Sequence, residues 1–376
     1  MKTNKSKNVF FVGGETAGPI MPLLAVAETW HAQDSDITPI FLDTSRSVAS
    51  RVVPDKGYKF FKISAGKFRR YWTIKNFISP FQITYGFLKA LALLIKFKPI
   101  IVIGAGGYVQ VPVILAAWVL RIPRVIHQQD IIPTLSNKLM APFVNKITTT
   151  FEKSIKDFKQ GSGFSKDYDQ YSKVVWTGNP CSFYGKTFPT KEEAQKFFKL
   201  DPDWPTVLIV GGGSGAMGLN QAVAHNLPEL LKVAQVVHSS GVGRRIKPLA
   251  DNPAIHERYH QYEFINHLLE AYLSADVVIS RSGIGAITDL STLGKISIMV
   301  PMPNSHQEWN AKYLYDKEAA LVIDQTDITP ETLAKSVRKI LFDVGLQKKL
   351  HTNIQKIIPK NSTENFLAVL KTLLHE

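Results

Sequence analysis

The chain has 376 residues, 45% of them apolar and 20% charged. That is more than one hydrophobic core ordinarily serves, and the composition excludes a disordered or fibrous chain. Its single cysteine, Cys181, excludes an internal disulfide and fits a reducing compartment. The net charge of +14 is concentrated: between Asp55 and Asp130 there is no acidic residue and there are twelve Lys or Arg, so an anionic partner is expected for the first half.

In chain order, Met1 to Asn8 is basic but is followed by only a short apolar run and a glycine turn, so no signal peptide is read and a cytosolic location is expected. Val9 to Val12 reads as a buried strand, Gly13 to Gly18 as a turn, and Ile20 to Trp30 as a helix that tolerates Pro19 near its start. The turn has P-loop spacing, but Pro19 stands where the phosphate-binding lysine is required, which argues against nucleotide hydrolysis. Ile37 to Leu42 supplies another strand.

From Lys67 to Phe81 the cations are interleaved with Phe68, Tyr71, Trp72, Phe77, Ile78 and Phe81, and this segment is expected to be a loop that touches a membrane. Ile83 to Phe97, with Tyr85 and Phe87, reads as a helix rich in Phe, Leu and Ile. Such a helix suits an anionic lipid surface better than the stacking platform of a nucleic-acid binder, so no nucleic acid is expected as partner. The plainer alternative is a helix packed on a sheet with its lysines solvated. Pro99 to Leu120 is uncharged over 22 residues, long enough to span a bilayer. Its interior instead reads as a strand at Ile100 to Ile103, a turn at Gly104 to Gly107 and a helix opening near Pro112.

Val125-Ile126 and Ile147 to Thr149 are further strands, and His127-Gln128-Gln129-Asp130 falls at the carboxyl edge of the first. Asp130 is the first carboxylate after the acid-free stretch; it serves as a general base if buried among cations, or caps a helix at Ile131. Gly161 to Asp169 reads as a mobile polar loop, and Thr177-Gly178-Asn179-Pro180 as the join between two halves. The second half repeats the pattern with strand Thr206 to Val210, turn Gly211 to Gly215 and helix Ala216 to Leu231. Gly213 to Gly218 formally satisfies G-x-G-x-x-G, but the acidic residue that would hold a ribose is missing near Val237-His238-Ser239, which argues against a nicotinamide enzyme.

Strand Val277 to Ser280, turn Arg281 to Ala286, helix Ile287 to Leu293 and strand Ile296 to Val300 form a βαβ unit. Its helix, starting near Ile284, turns unpaired N–H groups to the strands' carboxyl ends, which favours an anion there. Pro301, Pro303 and the polar run His306 to Asn310 follow, and the tail from Asn361 to His375 is amphipathic with Ser362 as a helix cap. No Cys/His cluster or metal-ligand spacing occurs, so neither a metal nor a cofactor is expected. Strands alternating with helices imply an α/β protein with doubly wound parallel sheets.

Seven motifs, taken in order, resemble the MurG family of peripheral membrane N-acetylglucosaminyltransferases. They are Gly13-Gly14…Gly18…Pro22 with Ala25-Val26-Ala27; Gly104-Ala105-Gly106-Gly107-Tyr108-Val109…Pro112; Ile122-Pro123…Ile126-His127-Gln128-Gln129; Thr177-Gly178-Asn179-Pro180; Gly211-Gly212…Gly215-Ala216…Leu219-Asn220; Ser280-Arg281-Ser282-Gly283; and His306-Gln307…Asn310-Ala311. The resemblance implies a GT-B fold of two Rossmann-like domains facing a cleft. An acceptor and membrane-facing domain would span 1–178 and a UDP-sugar domain 179–358, with a helix at 359–376 returning to the first. It implies inverting transfer of GlcNAc from UDP-GlcNAc to undecaprenyl-pyrophosphoryl-MurNAc-pentapeptide at the cytoplasmic face of the membrane.

By resemblance the donor is held by Thr16, Ala17, Gly18, Asp130, Ser182, Gly213, Ser214, Ile265, Ile284, Gly285, Ala286, Ile287, Thr288, Asp289 and Gln307. Ile265 would offer its backbone to uracil, Asp289 would accept from the ribose and Gln307 would hold the sugar. The membrane face would carry Phe77, Ile78 and Phe81. Where the family's first loop ends in a histidine this chain has Pro19, so Asp130, oriented by His127, is the candidate general base with Glu15 the second; the alternative is that Asp130 only keeps the neighbouring backbone in place and another group or none takes the proton. The changed donor residues Ser182, Gly213 and Asp289 leave room for a different sugar or lipid acceptor, and Pro19 leaves room for a non-catalytic lipid binder.

Overall fold

The computed structural model describes residues 6–66, 75–159, 173–181, 183, 187–212, 216–247, 253–329 and 331–375. The loop expected at Gly161 to Asp169 lies outside them, as do Phe68, Tyr71 and Trp72. The chain divides into two compact units, Met1–Tyr184 with Asn361–Glu376, and Gly185–Lys360.

The first unit runs β1 (Lys7–Val12), α1 (Ala17–Gln33), β2 (Ile37–Asp43), α2 (Ala49–Asp55), β3 (Lys59–Lys62), α3 (Lys75–Phe97), β4 (Ile101–Gly104), α4 (Gln110–Val119), β5 (Arg124–Gln128), α5 (Leu135–Met140), β6 (Lys146–Thr149), α6 (Ser154–Lys159) and β7 (Val174–Trp176). Its seven-stranded sheet has the order β3-β2-β1-β4-β5-β6-β7 with every pair parallel. Strands buried on both faces need continuous apolar runs, which Val9-Phe10-Phe11-Val12 and Ile101-Val102-Ile103 provide. One face packs α1 and the C-terminal helix, whose Phe366, Leu367, Leu370 and Leu373 lie among Val9, Trp30 and Ile101. Each such buried side chain contributes about 1.5–3 kcal/mol. The other face packs α3 and α4 through Ala90, Leu94, Val113 and Ala117.

The second unit runs α7 (Lys191–Phe197), β8 (Thr206–Val210), α8 (Met217–Leu230), β9 (Gln235–Ser239), α9 (Pro253–Arg258), β10 (Tyr259–Tyr262), α10 (Leu268–Ser274), β11 (Val277–Ser280), α11 (Ile284–Leu293), β12 (Ser297–Met299), α12 (His306–Asp316), β13 (Leu321–Val322), α13 (Thr332–Phe342) and α14 (Val344–Ile354). Its six strands, also all parallel, are ordered β10-β9-β8-β11-β12-β13. The chain then returns to the first unit as α15 (Ser362–His375).

Two expectations are corrected. Helix α3 begins at Lys75, so the segment read as loop through Phe81 is helical from that residue on. Phe81, Tyr85, Leu88 and Ile95 recur at helical spacing on one exposed face, while Gly86, Ala90 and Leu94 face inward. Gly86 is required there because a Cβ would fall 1.9 Å from the Ser64 carbonyl oxygen. Phe77 and Ile78 also belong to α3, but their side chains lie outside the described part. The uncharged run Pro99 to Leu120, by contrast, breaks into a strand and a helix, β4 and α4, as its interior led one to expect, and no helix among the described residues is long and apolar enough to cross a membrane. The second correction is that Asp130 caps no helix at Ile131, because α5 starts only at Leu135, where the Thr134 hydroxyl accepts from Asn137 N.

Candidate functional site

In an open parallel sheet the ligand crevice opens at the carboxyl ends of the strands where the strand order reverses. That point lies between β1 and β4 in the first unit and between β8 and β11 in the second. The glycine bends singled out in the sequence sit at both.

In the first unit, the bend after β1 and the bend after β4 touch backbone to backbone. A Cβ on Gly107 (φ +75°) would fall 2.9 Å from Gly14 Cα, and one on Gly14 would fall 3.1 Å from the Gly106 carbonyl oxygen. Only glycine at both positions permits this approach. Thr16 precedes α1 without capping it, so the first N–H groups of Ala17 and Gly18 remain turned to the sheet edge. Gln129 Nε2 donates to the Gly18 carbonyl across 2.8 Å and ties the β5 edge to this turn.

A buried amide chain stiffens the same edge. Gln110 accepts from Gly106 N at 3.0 Å and donates to Asn137 Oδ1 at 2.6 Å. Asn137 donates to Gln128 Oε1, and Gln128 donates to the Asp130 carbonyl at 2.7 Å. The Asp130 carbonyl is therefore held by one side-chain amide, Gln128, which Asn137 and Gln110 back in turn, and Asp130 is partly buried. The expected pairing with His127 does not occur. The His127 ring hydrogen bonds among the described residues run to Thr148 Oγ1 (2.9 Å), Asn179 Oδ1 (3.0 Å) and Thr150 Oγ1 (3.3 Å). Its ring also lies edge-on to Phe366. Strand alternation sends the His127 side chain to the face covered by α15, and burial pushes its pKa down to about 4, so the ring is neutral and structural.

Glu15, the other carboxylate named from the sequence, adopts a left-handed backbone with φ +75°. Its N–H donates to both carboxylate oxygens of Asp43, at 3.1 and 3.2 Å. Asp43 is wholly buried at the end of β2, and burial raises its pKa to about 6 against the opposing pull of the Thr44 and Glu15 N–H groups. Sequence reasoning missed Asp43, Gln110 and Asn137. The available signal was a lone carboxylate closing the apolar run Ile37 to Leu42.

In the second unit the bend Ser282-Gly283 is locked onto α12. The Ser282 hydroxyl donates to the Gln307 carbonyl at 2.7 Å, and Asn310 Nδ2 donates to the Ser282 carbonyl at 3.1 Å. Gly283 opens α11 with no side-chain cap among the described residues, leaving the N–H groups of Gly285 and Ala286 for an anion. Ile284 and Ile287 are core side chains, which leaves their backbone to meet a ligand, and the Thr288 hydroxyl donates to the Ile284 carbonyl. Asp289 lies partly exposed one turn on. Gln307 accepts from Met302 N at 3.1 Å with Oε1, while Nε2 faces Gly283, 3.9 Å from where its Cβ would be.

Buried Arg281 donates to the Val300 and Pro301 carbonyls and to Gln325, fixing the loop after β12. Buried Ile265 follows β10 on the same carboxyl edge, beside the loop after β9 that Asn220 holds through the Ser240 and Arg244 carbonyls. Gly211 and Gly212 end β8 there too; Gly213, Ser214 and Ser182 lie outside the described residues.

Two all-parallel α/β units, each with glycine or serine bends at its switch point, define the architecture of GT-B glycosyltransferases. A crystal structure of Acinetobacter baumannii MurG superposes with a TM-score of 0.72, at 24% identity over 97% of this chain and 99% of that one. UDP-GlcNAc 2-epimerase from Neisseria meningitidis, bound to UDP-GlcNAc, superposes at 0.68 with 15% identity over 98% of this chain and all of that one (100%).

The glycosyltransferase family 28 N-terminal domain matches residues 9–149 and the family's C-terminal domain matches 206–363, and the chain belongs to this family. A UDP-N-acetylglucosamine–N-acetylmuramyl-(pentapeptide) pyrophosphoryl-undecaprenol N-acetylglucosamine transferase from Caldicellulosiruptor saccharolyticus is 32% identical over 98% of each chain. A Bacillus cereus protein of the same name, numbered 2, is 31% identical over 89% of this chain and 91% of its own.

Proposed function

We propose that this protein transfers GlcNAc, with inversion, from UDP-GlcNAc to the sugar of undecaprenyl-pyrophosphoryl-MurNAc-pentapeptide at the cytoplasmic face of a membrane. The observation that carries the reading is the coincidence, in a family 28 chain similar along its length to transferases so named, of both switch points with amide-lined bends.

In the second unit, the uncapped N-terminus of α11 takes the diphosphate and stabilises the negative charge that develops as UDP leaves. Backbone at Ile265 meets the uracil, Asp289 accepts from the ribose hydroxyls and Gln307 Nε2 donates to the sugar. In the first unit, the acceptor hydroxyl loses its proton to a carboxylate as its oxygen bonds the anomeric carbon and the bond to UDP breaks. Asp130 is that base, with Glu15 as the competing candidate on the same edge. The apolar stripe of α3 with its neighbouring Lys89 and Lys96 rests on anionic lipid and brings the edge to a lipid-borne acceptor.

The test is UDP release with lipid-linked and soluble acceptors, with UDP-GlcNAc and UDP-Glc as donors. Release that requires both UDP-GlcNAc and the lipid-linked acceptor supports the reading. Equal release with UDP-Glc changes the donor, and release without acceptor or none at all overturns it.

A further inference from the structure

The Glu15 peptide is held at both ends. Its N–H donates to the Asp43 carboxylate, and its carbonyl accepts from Val48 N at 3.2 Å. Glu15 needs such support, because a left-handed φ is unfavourable for a side chain of its kind. Asp43 also accepts from Thr44 N at 2.7 Å, and its Oδ2 lies only 2.4 Å from where a Cβ on Gly13 would stand. The carboxylate is thus packed directly under the bend after β1, and Gly13 is the residue that admits it. From that bend α1 starts, with its first N–H groups at the sheet edge.

We propose that Asp43 is a positioning residue for the transfer reaction: from beneath the sheet edge it fixes the Gly13–Gly18 bend, and with it the placement of Glu15 and the start of α1, for the acceptor side of the chemistry. The inference rests on the transferase reading above. Asp43 touches no substrate; it acts through the Glu15 amide. An asparagine keeps one oxygen able to accept from both Glu15 N and Thr44 N, whereas an alanine removes the acceptor from both of these partly buried donors.

Three variants, Asp43→Ala, Asp43→Asn and Gly13→Ala, test it. Each is first checked for a wild-type melting transition, then assayed for UDP release with lipid-linked acceptor, for UDP binding by calorimetry, and for amide exchange in the 13–18 segment. The expected result for Asp43→Ala is a kcat lower by about 10- to 100-fold, the scale of a displaced reacting group. UDP affinity stays within about twofold, and exchange at 13–18 accelerates. Asp43→Asn restores most of the turnover and the protection. Gly13→Ala, which drives the carboxylate from its seat without removing it, reproduces the alanine phenotype.

A folded Asp43→Ala with wild-type kcat, or with unchanged exchange at 13–18, overturns the proposal, as does an Asp43→Asn protein no better than Asp43→Ala. Should Asp43→Ala not fold, Gly13→Ala against Asp43→Asn decides the same question by the same readouts. Wild-type protein that releases no UDP with any acceptor overturns the transferase reading itself, a failure distinct from wild-type turnover that ignores Asp43.

Discussion

The imidazole Nε2 of His127 donates to Oδ1 of Asn179 across 3.0 Å, joining the end of β5 to the bend that follows β7 inside the first unit. The ring is buried between two threonine hydroxyls and the Phe366 ring, and that burial disfavours a second proton. A histidine that the sequence offers to catalysis is thereby committed to the architecture.

Its pH signature follows from the sign of the shift. Burial lowers the folded pKa of His127 from 6.5 to about 4, so its contribution to stability is complete above pH 6.5 and is lost as pH falls toward 4. Asp43 runs the other way: raised from 3.8 to about 6, it favours the fold below pH 3.8 and that benefit is lost as pH rises through 6. Buried His238, also lowered to about 4, adds to the first effect. Wild-type protein is therefore expected to lose stability from pH 6.5 to 4, and His127→Gln to lose about 3 kcal/mol less over that range. Urea unfolding at the two pH values checks this, and parallel losses in both proteins would refute it.

The close approach of the two bends in the first unit predicts a steep response at Gly107. Gly107→Ala meets both a left-handed φ of +75° and Gly14 Cα at 2.9 Å, and about 1–3 kcal/mol of stability is expected to go, with turnover falling alongside. Gly57 has φ +79° but nothing within 4 Å, so Gly57→Ala isolates the backbone part of that cost. Equal melting temperatures for the two variants would show that the contact with Gly14 is slack.

Asp130→Asn is expected to lower turnover on the lipid-linked acceptor by about 10²–10⁴, the usual contribution of a general base. A loss below about tenfold retires Asp130 from that role. Glu15→Gln in the same assay ranks the second carboxylate, and its effect is to be read beside Asp43→Ala, which disturbs Glu15 without altering its charge.

On α3 the exposed side chains Phe81, Tyr85 and Leu88 are expected to enter the lipid interface. Replacing all three by serine should weaken binding to vesicles of anionic lipid by at least about 100-fold, since each apolar side chain contributes about 1.5–3 kcal/mol on burial. UDP binding should not change. Undiminished vesicle binding would assign the stripe to another contact.

Strand and helix grammar was readable because it is local. Apolar runs such as Thr206 to Val210 and the glycine turns after them lie within a few residues of one another, and the strand there has the expected bounds. Helix α3 was read short at its N-terminal end, where Pro80 and the aromatic residues around it obscure the helical period that continues through them. The bends at the sheet edges were likewise visible one at a time, each as a turn that follows a strand.

The sequence alone carried the α/β class, the two-part organisation of the pattern and the family resemblance, because these reside in residue order and in spacing along the chain. Only the tertiary structure decided what each polar group at the edges does. Asp43 reaches Glu15 across 28 positions, Gln110 reaches Asn137 across 27, and His127 turns from Asp130 to Asn179 across 52. A hydrogen bond is satisfied by whichever partner folding brings within about 3 Å, and strand order, which parallel crossovers set far from the sequence neighbourhood, determines that partner.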